Sequence, residues 1–299
     1  MVLPPEISNA ARARDIDAVR QFVESNPERI NESFEHVGDG EGLNLLTVAI
    51  GRHTSIEMVR YLISRGADVE RRNSNITPLY CACFLPDAEA MALLLQAGAN
   101  VNRRELGIIY RRDLLFYLLN DSKFVDADNG GPLSAETVAE TTDRIFECLK
   151  LLLRAGLALD VHERRDFGLQ PELLRLMPLE QIIDERIQSL ALDLSGRAPA
   201  TPDWAEHLSS NLGRSLDLVR AVRASIYTSA SPRLSPWRQY VLAPSVVVLR
   251  LRSLVARGRA RERGVVSGPT PRPIAWLLTP QTPREIVWNV LAFWNPRYE

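Results

Sequence analysis

Apolar side chains recur along the N-terminal half of this chain at the spacing of a helix. Met91, Leu94 and Leu95 follow the i, i+3, i+4 interval that gathers side chains on one helical face. A separate helix is predicted to begin before them, because Thr77 can serve as an N-cap and Pro78 suits the first helical position. The pattern therefore predicts two short antiparallel helices with one apolar side, which the pair cannot bury alone.

The same arrangement occurs one period earlier in the chain. Leu46 and Leu79 are separated by 33 residues, and each lies at the start of the first helix of a pair. Gly66 and Gly98 follow the second helices at the position where a left-handed residue closes the last turn, which glycine adopts without steric cost. Because each pair has one apolar side, we expect successive pairs to stack and to share a core.

Two less regular copies flank these repeats. A segment ending at Gly156 aligns with the segment ending at Gly98, but the two glycines are 58 residues apart instead of 32, so about 25 residues are inserted. We expect the insertion mainly between residues 120 and 141, as a loop, and the partner helix at residues 113–119. Residues 10–23 are typical of an irregular first copy that caps a stack.

A period of about 33 residues that opens with Thr77-Pro78-Leu79 resembles the ankyrin repeat. The resemblance extends over approximately residues 8–163. It implies an all-α fold, namely an ankyrin-repeat solenoid of about four helix pairs, one with a long insertion, followed by a helical C-terminal module. It also implies a non-enzymatic protein-protein interaction module or scaffold, which binds a protein partner through its concave surface and turn tips.

The turn tips of two successive repeats each carry a pair of arginines. The candidate partner-binding residues at these tips are Arg71, Arg72, Asn73, Asn75, Arg103, Arg104 and Glu105. Because the two arginine pairs would lie about one repeat apart, we expect a protein partner with an acidic surface. The alternative interpretation is that both tips are solubilising loops.

The composition changes after residue 198, where all five tryptophans and eleven of the nineteen prolines lie. We therefore expect a domain boundary near residues 196–203. Residues 1–195 would form the solenoid with a C-terminal helical cap, built from helices at 171–176 and 179–194. Residues 196–299 would form a helical module rich in Trp and Pro, with helices at 204–212 and 215–227.

The tail at residues 244–299 could be a partner-docking segment. An apolar stretch and a proline-rich connector precede a capping box at 282–285, which opens an apolar helix at 286–294. This order resembles the SOCS box, which would bind elongin and cullin proteins, and the opening of the last helix is also similar to an F-box. The sequence departs from both, since residues 246–255 contain no cysteine and Thr282 replaces the usual leucine.

The resemblance of the tail implies an alternative function, that of a substrate adaptor of a cullin-type ubiquitin ligase. A further alternative is a structural subunit of a larger complex, with the apolar tail helix buried between chains. The tail helix could also pack onto its own domain. The candidate docking residues of the tail are Ile286, Val287, Val290, Leu291 and Trp294.

Charge and composition exclude several other classes of function. The net charge of -1 argues against a nucleic-acid binder, and no phosphate-binding loop, nucleophile elbow or metal-ligand spacing occurs. We therefore predict no enzyme activity, no cofactor and no metal site. The absence of a long apolar run predicts no membrane span, and a repeat-like helix so close to Met1 leaves no room for a signal peptide, so we expect a cytoplasmic or nuclear protein. The three cysteines are expected in the core, in a reducing compartment.

Overall fold

The structure is a computed structural model of the 299-residue chain. It describes residues 2–34, 43–51, 55–71, 77–102, 114, 118–119, 134–164, 174–195, 202–228, 234–242, 251 and 253. The chain forms two compact units, Met1–Val219 and Arg220–Glu299. The described part is mostly helical, with two short two-stranded sheets.

The elements before residue 100 are β1 (Val2–Leu3), α1 (Pro5–Arg12), α2 (Ile16–Ser25), a 3-10 helix (Pro27–Arg29), β2 (Ser33–Phe34), α3 (Leu45–Ala49), α4 (Ile56–Ser64), α5 (Pro78–Phe84) and α6 (Ala88–Gln96). The later elements are α7 (Ala135–Arg154), β3 (Asp160–Arg164), β4 (Leu174–Pro178), α8 (Leu179–Ser195) and α9 (Pro202–Thr228). Residues 114 and 118 are helical, and a further helical segment spans residues 236–242.

Three helix pairs close with the same hydrogen bonds. The residue that caps the second helix of each pair donates its backbone amide to an alanine carbonyl of the first helix: Asp15 to Ala10 at 2.9 Å, Ser55 to Ala49 at 3.1 Å and Asp87 to Ala82 at 3.0 Å. The side chain of each capping residue accepts an amide of the first turn, which satisfies one of the donors that a helix start leaves open. The pairs α1/α2, α3/α4 and α5/α6 are therefore three copies of one hairpin.

The second helices also end alike. Gly66, Gly98 and Gly156 have φ values of 90°, 94° and 94°, in the region that favours glycine. In each case the amide after the glycine donates to the carbonyl five residues earlier, as in a Schellman motif. The predicted glycine closures are thus confirmed. Because Gly156 closes α7 in the same way, two residues after the helix ends at Arg154, the last turns of α7 are equivalent to those of α4 and α6.

Packing between neighbouring hairpins follows from this equivalence. Leu46 and Leu79 are 1% and 2% exposed in α3 and α5, which contact each other. Leu62, Leu94 and Leu152 occupy one position in the second helices and are all fully buried. Each such leucine stabilises the stack by about 1.5–3 kcal/mol, relative to an exposed side chain. The predicted stack of apolar helix pairs is therefore the core of the first unit.

The helix starts differ in chemistry between repeats. Asn44 and Thr47 form a reciprocal capping box at the start of α3, with bonds of 2.9 and 3.0 Å. Thr77 is the N-cap of α5, followed by Pro78, but its side chain accepts no bond from the first turn. The predicted start is confirmed, whereas the expected hydroxyl cap is not formed. The fixed φ of proline helps to initiate this helix instead.

The region after the insertion differs from the expectation in several respects. The helix expected at residues 171–176 is wrong, since β4 pairs there with β3 in an antiparallel hairpin. The predicted helix at 179–194 is confirmed as α8. The expected loop does not reach residue 141, because Ser134 caps α7 and the helix begins at Ala135. One continuous helix, α9, covers both segments that were expected as separate helices at 204–212 and 215–227.

Helix α7 is longer than its counterparts and supports α9. It has 20 residues, whereas α4 and α6 have nine each, so its first half extends beyond the repeat. Arg214 of α9 forms an ion pair of 2.7 Å with Asp143, and its guanidinium lies 4.8 Å from the ring centroid of Phe146. Arg214 thus links α9 to the extension of α7 through these two side-chain contacts.

The described part of the second unit is small. In the helical segment at 236–242, Trp237 and Gln239 are buried, and the rings of Trp237 and Tyr240 lie 5.5 Å apart at 47°. The side-chain amide of Gln239 donates to the carbonyl of Leu234 at 2.7 Å. These contacts hold the N-terminal end of this helical segment in place.

Candidate protein-binding surface

The first helices of the three hairpins lie side by side, and α1 and α5 each expose side chains near their C-terminal ends. Residues one before the alanine that closes each hairpin occupy equivalent helical positions. Two residues after the alanine, Arg12 and Phe84 end their helices, whereas Gly51 follows the C-cap of α3 in a turn that is one residue longer. We call this set the inner-helix face, and its members are Asn9 and Arg12 in α1, Val48 and Gly51 at α3, and Cys81 and Phe84 in α5. Helix α3 packs against α1 and α5, so the equivalent positions form a row across the stack.

The chemistry of the inner-helix face changes along the stack. Asn9 and Arg12 are exposed and polar, whereas Val48 and Gly51 are small and offer little polar surface. Phe84 is 41% exposed, although the ring of a phenylalanine is usually buried. The face therefore leads from a cation in the first repeat to an exposed aromatic ring in the third.

Cys81 lies on this face beside Phe84. Part of the residue reaches the surface, but burial of the thiol raises the pKa of Cys81 to about 12. The thiol is therefore protonated at neutral pH and contributes apolar surface rather than a nucleophile. Cys83 and Cys148 are buried in the core.

The outer helices, in contrast, carry arginines that are paired with acids on the neighbouring helix. Arg20 of α2 pairs with Glu57 of α4 at 2.8 Å, and Arg65 of α4 pairs back with Glu24 at 3.4 Å. Both guanidiniums also lie within 5.7 Å of the ring centroid of Tyr61. Between α2 and α4, the outer surface thus uses these two cations to join repeats, whereas Arg154 at the end of α7 is exposed and forms no ion pair with the described residues.

Three arginines at the inner helix and the tip are arranged differently. Arg12 ends α1, Arg14 follows in the turn, and Arg71 lies at the tip after α4. All three are exposed, and within the described ranges none of them forms an ion pair. Arg12 belongs to the inner-helix face, and Arg71 to the turn tips. An acidic group that approaches either place would meet unneutralised charge.

The tips themselves are joined by a series of side-chain bonds that holds successive repeats in register. Asn31 accepts the amide of Asp68 at 2.7 Å, and Glu70 accepts the amide of Asn100 at 2.8 Å. Asn102 accepts the amide of Ala158 and donates to the carbonyl of Gly156, both at 2.8 Å. We call the last pair of bonds the Asn102 clasp. It spans the insertion, so the repeat ending at Gly156 stacks directly on the one ending at Gly98.

Among the candidate residues at the tips and in the tail, Arg71 lies in the part of the chain that the structure describes. Arg71 is exposed at its tip, as the sequence predicts. The other tip candidates, Arg72, Asn73, Asn75, Arg103, Arg104 and Glu105, lie outside the described residues, as do Ile286, Val287, Val290, Leu291 and Trp294 of the tail. Arg12 and Phe84 were not among the residues predicted from the sequence. Their constant offset from the repeated alanines is the signal that could have identified them.

Two further findings concern metal binding and membrane insertion. No group of three or more His, Cys, Asp or Glu side chains in the ranges given above is placed to hold a metal ion. Within those same ranges, no helix combines the length and the apolar character that are needed to cross a membrane.

Comparisons with known proteins identify the repeats. Residues 7–105 match the family model for ankyrin repeats in three copies. E3 ubiquitin-protein ligase hecd-1 of Caenorhabditis elegans is 35% identical over 101 residues, which are 33% of this chain and 4% of that protein. Nuclear factor NF-kappa-B p105 subunit of Gallus gallus is 31% identical over 148 residues, which are 43% of this chain and 15% of that protein.

The chain spans less than a fifth of the length of either of these curated relatives. The hairpins α3/α4 and α5/α6 fall inside the matched range, and all of α1/α2 except the first two residues of α1 does so too. Residues 7–105 of this chain are therefore three ankyrin repeats, a class of repeat that serves as a protein-protein interaction module.

Proposed function

We propose that this protein is a non-enzymatic scaffold that binds an acidic protein partner through the inner-helix face and the turn tips of its ankyrin repeats. The observation that carries the proposal is the division among the arginines. On the outer helices, Arg20 and Arg65 are neutralised by acids of the neighbouring helix. At the end of α1, in the turn that follows it and at the tip after α4, the arginines Arg12, Arg14 and Arg71 are exposed and form no ion pair with the described residues.

Charge that is left unneutralised on one side of a protein mainly increases the association rate and the specificity for a partner of opposite sign. The sequence adds Arg72, Arg103 and Arg104 to the same tips, which supports an acidic partner further. The exposed ring of Phe84 supplies apolar contact area, which charge pairs at a wet interface do not provide.

The test uses the full chain as bait and identifies bound proteins by mass spectrometry. The recovered partner is then purified and titrated against the wild type and against a variant with Arg71, Arg72, Arg103 and Arg104 all replaced by Ser. We expect the variant to bind at least about tenfold more weakly, and its affinity to depend less on salt between about 50 and about 200 mM. Arg60→Ser and Arg154→Ser, two exposed cations away from the tips, serve as controls. Equal, salt-independent binding by the tip variant would contradict the proposal.

A second proposed function is that of an adaptor of a cullin-type ubiquitin ligase. It is motivated by the proline-led capping box at 282–285 and the apolar helix that follows it. The similarity to hecd-1 gives it no support, because that match is confined to the repeats. Full-length protein with Val287→Asp and Leu291→Asp should lose purified elongin and cullin binding while the repeats keep their thermal unfolding transition. Failure of the wild type to bind either protein would eliminate this function.

The third possibility from the sequence is a structural subunit, with the tail helix buried between chains. This proposal predicts that the full chain purifies from its source in one stoichiometric complex. Recovery as a free monomer that is stable without any partner would exclude it.

A further inference from the structure

The turn between α1 and α2 carries two arginines whose charged groups are not held by the rest of the protein. Arg12 ends α1, Arg14 follows in the turn, and both side chains are exposed. Neither guanidinium has a hydrogen bond, an ion pair or a ring contact with the described residues. The two acids beside them are engaged elsewhere, because Asp15 accepts an amide of the first turn of α2 at 3.0 Å and Asp17 pairs with an arginine of α2 at 3.7 Å. We call Arg12 and Arg14 the basic turn.

Arg14 also adopts a backbone conformation that closure of a hairpin does not require. Its φ is 63°, in the left-handed region, which costs an arginine free energy and a glycine almost none. The turn between α5 and α6 is closed in the same way, by an amide bond from Asp87 to the carbonyl five residues earlier, yet Pro86 stands at the position of Arg14. Proline holds φ at about −65°. Because the same turn closes without strain, the strained arginine indicates a role outside the fold.

The basic turn and the turn tips lie at opposite ends of the hairpins. Helix α2 begins beside the basic turn, and the segment after α2 reaches the tips, where Asn31 accepts the amide of Asp68 at 2.7 Å. Because α2 has 10 residues and a helix rises 1.5 Å per residue, the two ends are separated by about 15 Å. An extended segment that contacts both ends therefore needs acidic residues at least about five positions apart.

We propose that the basic turn is a second anchoring site for the acidic partner. Arg12 and Arg14 bind carboxylates of a partner segment that extends across the inner-helix face from the turn tips. This inference rests on the proposed function and assigns a second contact to its partner. A guanidinium binds a carboxylate through two parallel N–H donors, so the contact contributes orientation as well as charge.

The number of cations favours an acidic protein segment over a membrane or a nucleic acid. Recognition of an anionic membrane typically uses clusters of about four to eight basic residues, and nucleic-acid binders neutralise several phosphates. The basic turn supplies two arginines, and the chain as a whole carries a net charge of -1. One or two carboxylates of a protein segment match this charge.

The experiment selects random phage-displayed peptides of about 12 residues on the immobilised full chain, and such peptides span up to about 40 Å when extended. The enriched peptides are then titrated against three variants. Arg12→Glu combined with Arg14→Glu reverses the charge of the basic turn. Its control, Arg154→Glu combined with Arg238→Glu, changes the net charge equally at two exposed arginines that form no ion pair with the described residues. The third variant, Arg14→Gly, removes one cation and relieves the left-handed backbone.

We expect the enriched peptides to carry Asp or Glu at two places at least about five residues apart. They should bind the reversed basic turn about tenfold more weakly, mainly through slower association, and bind the control variant almost as well as the wild type. Arg14→Gly should keep or raise the melting temperature and still bind about threefold more weakly, which separates lost charge from lost folding.

Three results would overturn the proposal. The first is that no acidic peptide is enriched. The second is that the reversed basic turn and the control bind the peptides equally. The third is that the reversed basic turn loses binding to phosphatidylserine vesicles or to DNA while its binding to the peptides is unchanged, because the site would then belong to another class of partner.

The natural partner separates this inference from the function on which it rests. If that partner binds the reversed basic turn as tightly as the control but binds the tip variant weakly, the scaffold function stands and the second anchor is wrong. If only the reversed basic turn binds weakly, the anchor stands and the tips are not part of the binding surface. If neither variant weakens binding, both proposals are wrong, and weaker binding by both supports both.

Discussion

Replacing Asn102 by Ala should uncouple the repeat that follows the insertion from the three repeats before it. The change removes the Asn102 clasp, with its two bonds of 2.8 Å to Gly156 and Ala158. A typical intramolecular hydrogen bond contributes a net 0.5–1.5 kcal/mol, so two bonds would contribute about 1–3 kcal/mol. Because the clasp is exposed to water, which can replace either partner, we expect a loss of about 1–2 kcal/mol in the free energy of unfolding.

Urea unfolding and amide hydrogen exchange of the full-length protein measure this loss. The unfolding midpoint should fall, and exchange should accelerate most at the amides that close α7, such as that of Leu157. Asn100→Ala is the matched control, because Asn100 lies at the same tip but its side chain makes only a local bond, to the amide of Asn102 at 2.9 Å. Asn102→Asp should fall between the two, since a carboxylate can still accept the amide of Ala158 but cannot donate to Gly156.

Comparison of Asn102→Ala with Asn100→Ala shows whether the Asn102 clasp couples the two repeats. If Asn102→Ala destabilises the protein no more than Asn100→Ala, and exchange near Leu157 is unchanged, the clasp does not hold the two repeats in register. The inserted residues would then separate two independent stacks, contrary to the packing described above.

The remaining predictions concern backbone strain, thiol chemistry and the attachment of α9. Gly98→Ala should destabilise the protein by about 1–2 kcal/mol through backbone strain at φ 94°, although the added Cβ meets nothing within 4 Å. Gly213→Ala inside α9 should instead stabilise the protein by about 0.5–1 kcal/mol. If urea unfolding shows that both substitutions change the free energy of unfolding in the same direction, the argument from backbone strain is wrong. Because the pKa of Cys81 is raised to about 12, its alkylation at pH 8 should be roughly a thousandfold slower in the native protein than in urea, and rapid native labelling would contradict the burial of the thiol. For the same reason the melting temperature should fall as pH rises above the pKa of an unfolded cysteine, about 8.5, and Cys81→Ala should reduce that fall. Arg214→Ala should lower the free energy of unfolding by up to about 1 kcal/mol and accelerate amide hydrogen exchange in α9. Unchanged stability and exchange would show that the exposed pair with Asp143 is broken in solution.

Local features of the chain could be predicted because the chemistry that sets them lies within a few residues. The left-handed closures at Gly66 and Gly98 depend on one glycine and the preceding turn, and both are confirmed. The start of α5 was predicted from Thr77 and Pro78, although the hydroxyl bond was not formed. The strand at 174–178 was missed, because it depends on pairing with β3, and no pattern within the segment itself indicates that partner.

The sequence by itself determined the repeat, its period, its helix ends and the buried leucines, since these follow from i to i+4 contacts and from the need of each hairpin to cover one apolar side. Only the tertiary structure decided which arginines are neutralised, because Glu57 meets Arg20 across 37 residues of chain. It also decided that Asn102 reaches Gly156 across 54 residues and that Phe84 remains exposed. Contacts of such sequence separation depend on how whole hairpins pack, and the identity of a single residue does not encode them.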